Sequence, residues 1–203
     1  GNQITVTGGS ESSGGAWDYT TVMYDNMGSQ VSVNRTAASG DDIQKPRDLV
    51  RDHEGNIYIT GVQSNGTDDD IKLVKLDSSL NPVWVQVFNT GNEQSNALAI
   101  DDNANTYVGG WQDAGSSARY FLLLKYDKNG TLMWSKTIWP SESLPYGQIT
   151  GLKISGGYVD AIGSVADGIS SNIVVAQLDT ATGDLAWAEI HDVEGTGLEL
   201  PKD

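Results

Sequence analysis

Hydrophobic positions in this chain alternate with polar ones over short runs, and each run closes on Gly, Asp, Asn or Ser. That is the two-residue period of half-buried β-strands, and no segment sustains the 3.6-residue period of an amphipathic helix. The runs also repeat. Ile4 to Gly8 (ITVTG), Ile57 to Gly61 (IYITG), Thr106 to Gly110 (TYVGG) and Val159 to Gly163 (VDAIG) align on their last glycine, with a spacing of about fifty residues. Each is followed by a second shared block: DYTTVMYDNMG from Asp18, DIKLVKLDSSL from Asp70, YFLLLKYDKNG from Tyr120 and NIVVAQLDTATG from Asn172. These blocks end in Tyr-Asp or Leu-Asp at Asp25, Asp77, Asp127 and Asp179. An outer segment then carries Trp84, Trp134 and Trp187, with Ser32 in the first copy.

A further short strand precedes the glycine-terminated one at Asp48 (DLVRD), Ala97 (ALAID) and Gly151 (GLKIS). The first copy lacks it, and Gly197 to Asp203 (GLELPKD) has the right pattern at the opposite end. Four strands of this length per unit, separated by turn residues, make a propeller blade and not a helical solenoid repeat. The expected fold is therefore an all-β propeller of four blades with four antiparallel strands each, forming a single domain over residues 1–203. The expected blades span residues 1–40 with 194–203, 41–90, 91–140 and 141–193. The C-terminal strand is expected to join the N-terminal blade, which removes exposed strand edges and closes the ring.

The same residues resemble a bacterial β-propeller repeat of secreted and surface proteins. Its strands read A-I-A-V-D, G-N-x-Y-V-T-G, D-x-x-x-V-K-Y-D-x-x-G and L-x-W-x-K, matched here by Ala97 to Asp101, Gly55 to Gly61, Asp70 to Asp77, and Tyr126 to Gly130 running into Leu132, Trp134 and Lys136. The resemblance spans essentially the whole chain. It implies an extracellular or cell-surface protein and speaks to architecture more than to function.

The repeated residues read as structure. A carboxylate where a strand enters a D-x-x-G-like turn accepts the backbone N–H groups of that turn, which accounts for Asp25, Asp77, Asp127 and Asp179. Trp84, Trp134 and Trp187 are expected to bury apolar area between neighbouring blades. The repeated glycines Gly8, Gly61, Gly110 and Gly163 are expected to allow positive φ or close packing at a strand end.

Composition narrows the function. The 203 residues include 27 acidic against 12 basic side chains, a formal charge of −15, so phosphate backbones and anionic membranes would repel the chain and nucleic acid is not an expected partner. Cysteine is absent, which excludes disulfides and thiolate metal sites. No apolar stretch reaches the length of a membrane span, and the N-terminal GNQITVTGG lacks the basic and apolar regions of a signal peptide.

Little of the remaining chemistry is assembled in the sequence. His53 and His191 lie in different blades, and neither accompanies a nucleophile elbow or a zinc-binding helix. Paired carboxylates serve glycoside hydrolysis, yet nothing in the sequence sets two acids face to face. Calcium has a candidate loop, Asn65-Gly-Thr-Asp68-Asp69-Asp70, and a weaker alternation at Asp101, Asn103 and Asn105 that lacks the later glycine and glutamate of an EF-hand. Trp17, Trp111, Arg119, Trp139 and Tyr146 fall in or beside the variable loops, where exposed side chains stack on sugars or anchor interfaces. Asn34, Asn65 and Asn129 each open an N-x-Thr sequon, a surface mark in a glycosylating host. The expectation is a non-enzymatic structural or protein-interaction module of an exported protein, binding protein partners or copies of itself. The alternative is a lectin-like propeller that binds glycan through loop aromatics, with Ca2+ as the one possible cofactor.

Overall fold

The structure, a computed structural model, describes residues 3–11, 15–36, 43–64, 66–115, 118–138, 146–166 and 171–191. These residues form fifteen strands: β1 (Ile4–Glu11), β2 (Trp17–Tyr24), β3 (Gln30–Thr36), β4 (Ile43–Arg51), β5 (Ile57–Ser64), β6 (Asp69–Leu76), β7 (Pro82–Phe88), β8 (Glu93–Ile100), β9 (Thr106–Asp113), β10 (Arg119–Tyr126), β11 (Leu132–Ile138), β12 (Tyr146–Ser155), β13 (Tyr158–Ala166), β14 (Ser171–Asp179) and β15 (Leu185–His191). No helix occurs among the described residues, as the two-residue period requires.

The strands make antiparallel meanders, β1–β3, β4–β7, β8–β11 and β12–β15, which the hydrogen bonding joins into two sheets. A single parallel bridge links the first two meanders at Trp17 and Ile43, and another links the last two at Arg119 and Tyr146. The first meander has three described strands, and the expected closing strand Gly197 to Asp203 lies outside the described residues. The contacts group the chain into two compact units, Gly1–Ser95 and Asn96–Asp203.

One turn design recurs. At Asp25, Asp52, Asp77, Asp101 and Asp127 the aspartate N–H bonds the carbonyl four residues on, and the N–H three residues on returns to the aspartate carbonyl. The carboxylate accepts two more N–H groups, such as Ser79 and Asn81 on Asp77 at 2.8 Å each. Asp179 heads a version one residue longer, with Ala181 and Thr182 as donors. Stabilising the anion in this way lowers the Asp77, Asp127 and Asp179 carboxyls from their usual range, through Asn81 first at Asp77, Thr131 at Asp127 and Thr182 at Asp179. The fourth turn residue needs the left-handed region. Glycine supplies it at Gly28, Gly55 and Gly130, whereas Leu80 (φ 69°) and Ala104 (φ 60°) adopt it at a cost.

Within the first unit, Tyr19 and Met23 of β2 share a core with Ile57 and Ile59 of β5 and Val74 and Leu76 of β6. Within the second, Phe121 and Leu123 of β10 pack with Val159 and Ala161 of β13 and Val174, Ala176 and Leu178 of β14. Tyr19 and Phe121 are repeat equivalents, each six residues before the turn aspartate. Each lies against a repeated glycine of the following meander: the Tyr19 hydroxyl and the Lys45 carbonyl would collide with a Cβ at Gly61, and the Gln148 carbonyl with one at Gly163, where the Phe121 ring edge would also stand at 3.0 Å. None of Gly8, Gly61, Gly110 and Gly163 has positive φ, so close packing is what Gly61 and Gly163 supply.

The outer tryptophans are less buried than expected. Trp84 and Trp134 are half-buried, edge-on to Tyr58 and Tyr107 at 5.9 and 6.0 Å, and Trp187 is exposed. Each stands on the last strand of its meander, where only one flank is packed. Trp134 donates its indole N–H to the Thr180 carbonyl of the next meander at 3.3 Å. Ser32, the serine in the tryptophan position, makes the same link to the Ser79 carbonyl at 3.0 Å.

Candidate functional site

Strands β4 and β6 both run antiparallel to β5, and β2 runs parallel to β4, so the starts of β2, β4 and β6 share one end of the first sheet. This end gathers Trp17, Asp18, Gln44, Asp69 and Asp70. The side chains of Asp69 and Asp70 point to opposite faces of β6, as successive strand residues must.

Asp70 is 3% exposed, and its Oδ1 has no hydrogen-bond partner. Burial first, then the nearby charges of Asp68 and Glu93, push its carboxyl up to about 6, against a hydrogen bond from Asn89. Glu93, at the start of β8, is fully buried and accepts from the Thr90 hydroxyl at 2.6 Å and the Thr90 N–H at 3.2 Å. Asp69 is held differently. Its N–H donates to Asn92 Oδ1 at 3.1 Å and its Oδ2 accepts from Gln94 Nε2 at 2.5 Å. Asp69 and Gln94 line a solvent-open cleft together with Ile43, Lys45, Arg47, Val62 and Ser64.

On the Asp70 face a second polar group is sealed in. Lys72 is buried, with Nζ 2.7 Å from Gln44 Oε1 and 5.4 Å from the centroid of the Tyr19 ring. Tyr19 is wholly buried with an unpartnered hydroxyl, and desolvation drives its phenol well above the ordinary range, against a smaller lowering effect from Arg47. Asp18, buried at the head of the block equivalent to that of Asp70, pairs with the Arg35 guanidinium at 2.7 Å.

Of the candidate calcium loop, Asn65 lies outside the described residues. Asp68, Asp69 and Asp70 do not converge: Asp69 turns to the cleft, Asp70 to the other face, and the Asp68 carbonyl accepts from the Ser64 hydroxyl at 3.4 Å. Among the described residues no three His, Cys, Asp or Glu side chains stand together as metal ligands. The Asp101 carboxylate is occupied by the N–H groups of Asn103 and Asn105 at 2.9 Å each, because it heads a turn of the recurring design.

The loop side chains divide. Trp17 and Tyr146 are exposed at the first positions of β2 and β12. Trp111 lies within β9 at 4% exposure, covered by the Arg119 guanidinium 4.0 Å from its ring, so its face is not open to a sugar. Arg119 also pairs with Asp113 at 3.6 Å. Trp139 lies outside the described residues. His53 and His191 are exposed, the latter 3.9 Å from Glu189.

Gln44, Glu93 and Lys72 carried no expectation. For Lys72 the signal exists: the aligned positions in the other blocks are the uncharged Thr20, Leu122 and Val174, so a lysine breaks an uncharged column. Likewise Asp18 and Asp70 stand where the other repeats have Tyr120 and Asn172.

Two solved structures are similar to this chain. A GH43 endo-arabinanase from Bacillus licheniformis superposes with a TM-score of 0.51 over 97% of this chain and 73% of its own, at 15% identity. The native arabinanase of Bacillus subtilis does so at 0.48, with 14% identity and the same coverage. No family model and no curated protein matches the sequence. The fold is an all-β propeller fold. The expectation of a non-enzymatic structural or interaction module is overturned by the likeness to a GH43 endo-arabinanase. That expectation leaned on the lack of cysteine and usable histidine, which has no bearing on a chemistry that runs on carboxyl groups.

Proposed function

We propose that this chain is a carbohydrate-active enzyme that cleaves glycosidic bonds with carboxyl groups at the strand-start end of its first unit. Asp70 carries the proposal. A general acid must be protonated near neutral pH, and a buried carboxyl pushed up to about 6 among other acids meets that requirement. Asp18, paired with Arg35 and heading the equivalent block, is the second carboxyl group that glycoside cleavage also needs. Asp70 protonates the leaving oxygen, and Asp18 stabilises or attacks the developing oxocarbenium ion or activates water against it. Exposed Trp17, one residue before Asp18, offers a ring on which a sugar face can stack. The likeness to an endo-arabinanase puts arabinan first among substrates to try. In the same reading the four meanders are four blades, the first lacking one strand among the described residues.

The experiment is reducing-end release from arabinan and a panel of other glycans by the wild type and by Asp70→Asn, with the thermal melt of the variant recorded. Loss of roughly a hundredfold or more in turnover is expected for a folded Asp70→Asn protein. A wild type inert on every glycan, or a variant of unchanged rate, overturns the assignment.

A further inference from the structure

The cleft beside Asp69 carries two cations that the fold does not require. Its lining residues all lie between Ile43 and Gln94, within the first unit. Ile43 and Asp69 are the first residues of β4 and β6, and both register with Ser64 of β5. The cleft thus opens at the strand-start end that also holds Asp70, on the opposite face of the sheet.

Lys45 and Arg47 both line it. Lys45 registers with Val62, while a bulge in β4 between Pro46 and Asp48 leaves Arg47 without a partner residue across β5. Bulges re-aim the side chain they carry, and this one places Arg47 on the cleft with Lys45. Both are exposed, and among the described residues neither pairs with a carboxylate; Asp69 is bonded to Gln94 instead. The strand forms without these charges elsewhere. β12 has its bulge at the same place and carries Gln148 and Thr150 where β4 carries Lys45 and Arg47, and the matching residues of β8 are Gln94 and Asn96. Two neighbouring cations without an acid, in a chain of 27 acidic against 12 basic residues, form a local exception suited to an anion from outside.

The other lining groups narrow the anion. Buried Val62 and exposed Ile43 give an apolar wall for the C–H face of a ring, and the Asp69 carboxylate, held by Gln94, accepts from hydroxyl groups. An inorganic ion would use the cations and nothing else. We propose that the cleft binds the carboxylate of a uronate residue in an acidic glycan. Lys45 and Arg47 pair with the sugar carboxylate, the guanidinium through its planar fork, while Ile43 and Val62 carry the ring and Asp69 takes a ring hydroxyl. The inference rests on the reading of the chain as glycan-active, and it adds a charge to the substrate class.

The test is isothermal titration calorimetry at fixed ionic strength with three titrants: an oligogalacturonate, the same oligomer with its carboxyl groups reduced to alcohols, and inorganic phosphate. The proteins are the wild type, Lys45→Gln, Arg47→Thr, their double variant, and Lys153→Gln as a control that removes an exposed cation outside the cleft. The first two substitutions install the residues that β12 already carries, and a circular-dichroism melt checks that each variant folds. The wild type and Lys153→Gln are expected to bind the carboxylated oligomer roughly tenfold or more tighter than the reduced one, which two exposed charge pairs can supply. Each single variant should lose part of that preference and the double variant all of it. Equal binding of the two oligomers, binding of neither, phosphate bound as tightly as the uronate oligomer, or a preference that survives in the double variant overturns the proposal. Binding and turnover fail separately. A protein that shows the preference and cleaves no glycan loses the enzymatic assignment and keeps the uronate cleft, and one that cleaves glycans without the preference does the reverse.

Discussion

Tyr19 and Phe121 hold the same place in their repeats, and their surroundings are opposites. Phe121 sits in a core of aliphatic side chains, with Leu122 next in the strand. Tyr19 carries a hydroxyl with no partner, and the residue beside it that matches Val174 of the Phe121 core is buried Lys72, tied to Gln44. One packing plan is thus executed twice, once with apolar atoms throughout and once with buried polar groups whose desolvation is incompletely offset. The polar version lies beside Asp70 and Asp18. Under the proposed function, stability is given up locally at a site that needs charged and neutral carboxyl groups.

The largest expected effect falls on the apolar side. Phe121→Ala removes a fully buried ring wedged against Gly147 and Gly163, and should cost about 3–5 kcal/mol by chemical denaturation. A loss below about 1 kcal/mol would mean that the second unit does not depend on that ring.

The glycine contact is common to both units and should respond alike in both. A Cβ at Gly61 or Gly163 meets a backbone carbonyl that no rotamer change can move, so Gly61→Ala and Gly163→Ala should each cost roughly 1–3 kcal/mol or more. Gly8→Ala is the control: its Cβ meets nothing within 4 Å, and a change within about 0.5 kcal/mol is expected. Unequal costs at Gly61 and Gly163 would break the equivalence on which the comparison rests.

Acid–base behaviour separates the polar end from the turns. The folded Asp70 carboxyl, near 6, binds its proton more tightly than an unfolded one at about 3.9. Its favourable contribution is therefore full at low pH and is lost as pH rises through 6. Asp70→Asn cannot ionise, so above pH 7 it should be more stable than the wild type, on the order of 2–3 kcal/mol, with the gap closing towards pH 4. Asp52, Asp77, Asp127 and Asp179 work in the reverse sense, since their lowered carboxyls add stability above the unfolded value that is lost as pH falls through the folded one. Urea titrations at stepped pH would show both limbs, and a flat wild-type to Asp70→Asn difference between pH 4 and 8 would remove Asp70 from the proposed role.

Strands and turns were legible in the sequence because their causes are local: a two-residue period, an aspartate whose carboxylate reaches two N–H groups, a glycine three residues on. The site was less so. Whether Asp69 or Asp70 faces the cleft depends on the register of β6 against β5, which the run of three aspartates does not reveal. Lys72 is buried because Gln44, in another strand, accepts its hydrogen bond, and Trp111 is covered because Arg119 folds over it. Trp187 follows the repeat pattern of Trp134 and is nonetheless exposed, since burial depends on the neighbouring face and not on the residue. The aligned column of Asp18, Asp70, Tyr120 and Asn172 was visible from the start, but its meaning came only with the burial of three of the four.

The smallest expected effect is the most pointed test of the contrast. Tyr19→Phe converts the first unit to the residue the second already uses, and the only atom removed is an oxygen that is buried and unpartnered. Leaving such a group in the core costs the folded state its desolvation, about 1–3 kcal/mol, and its removal opens a gap no larger than that oxygen. The ring remains under the Lys72 ammonium, so the cation–π contact survives. The variant should therefore be unchanged or up to about 1 kcal/mol more stable, with the rate on any glycan substrate unaltered. A loss of stability of about 1 kcal/mol or more would show that the hydroxyl is bonded in solution, and that the first unit's polar core is satisfied after all.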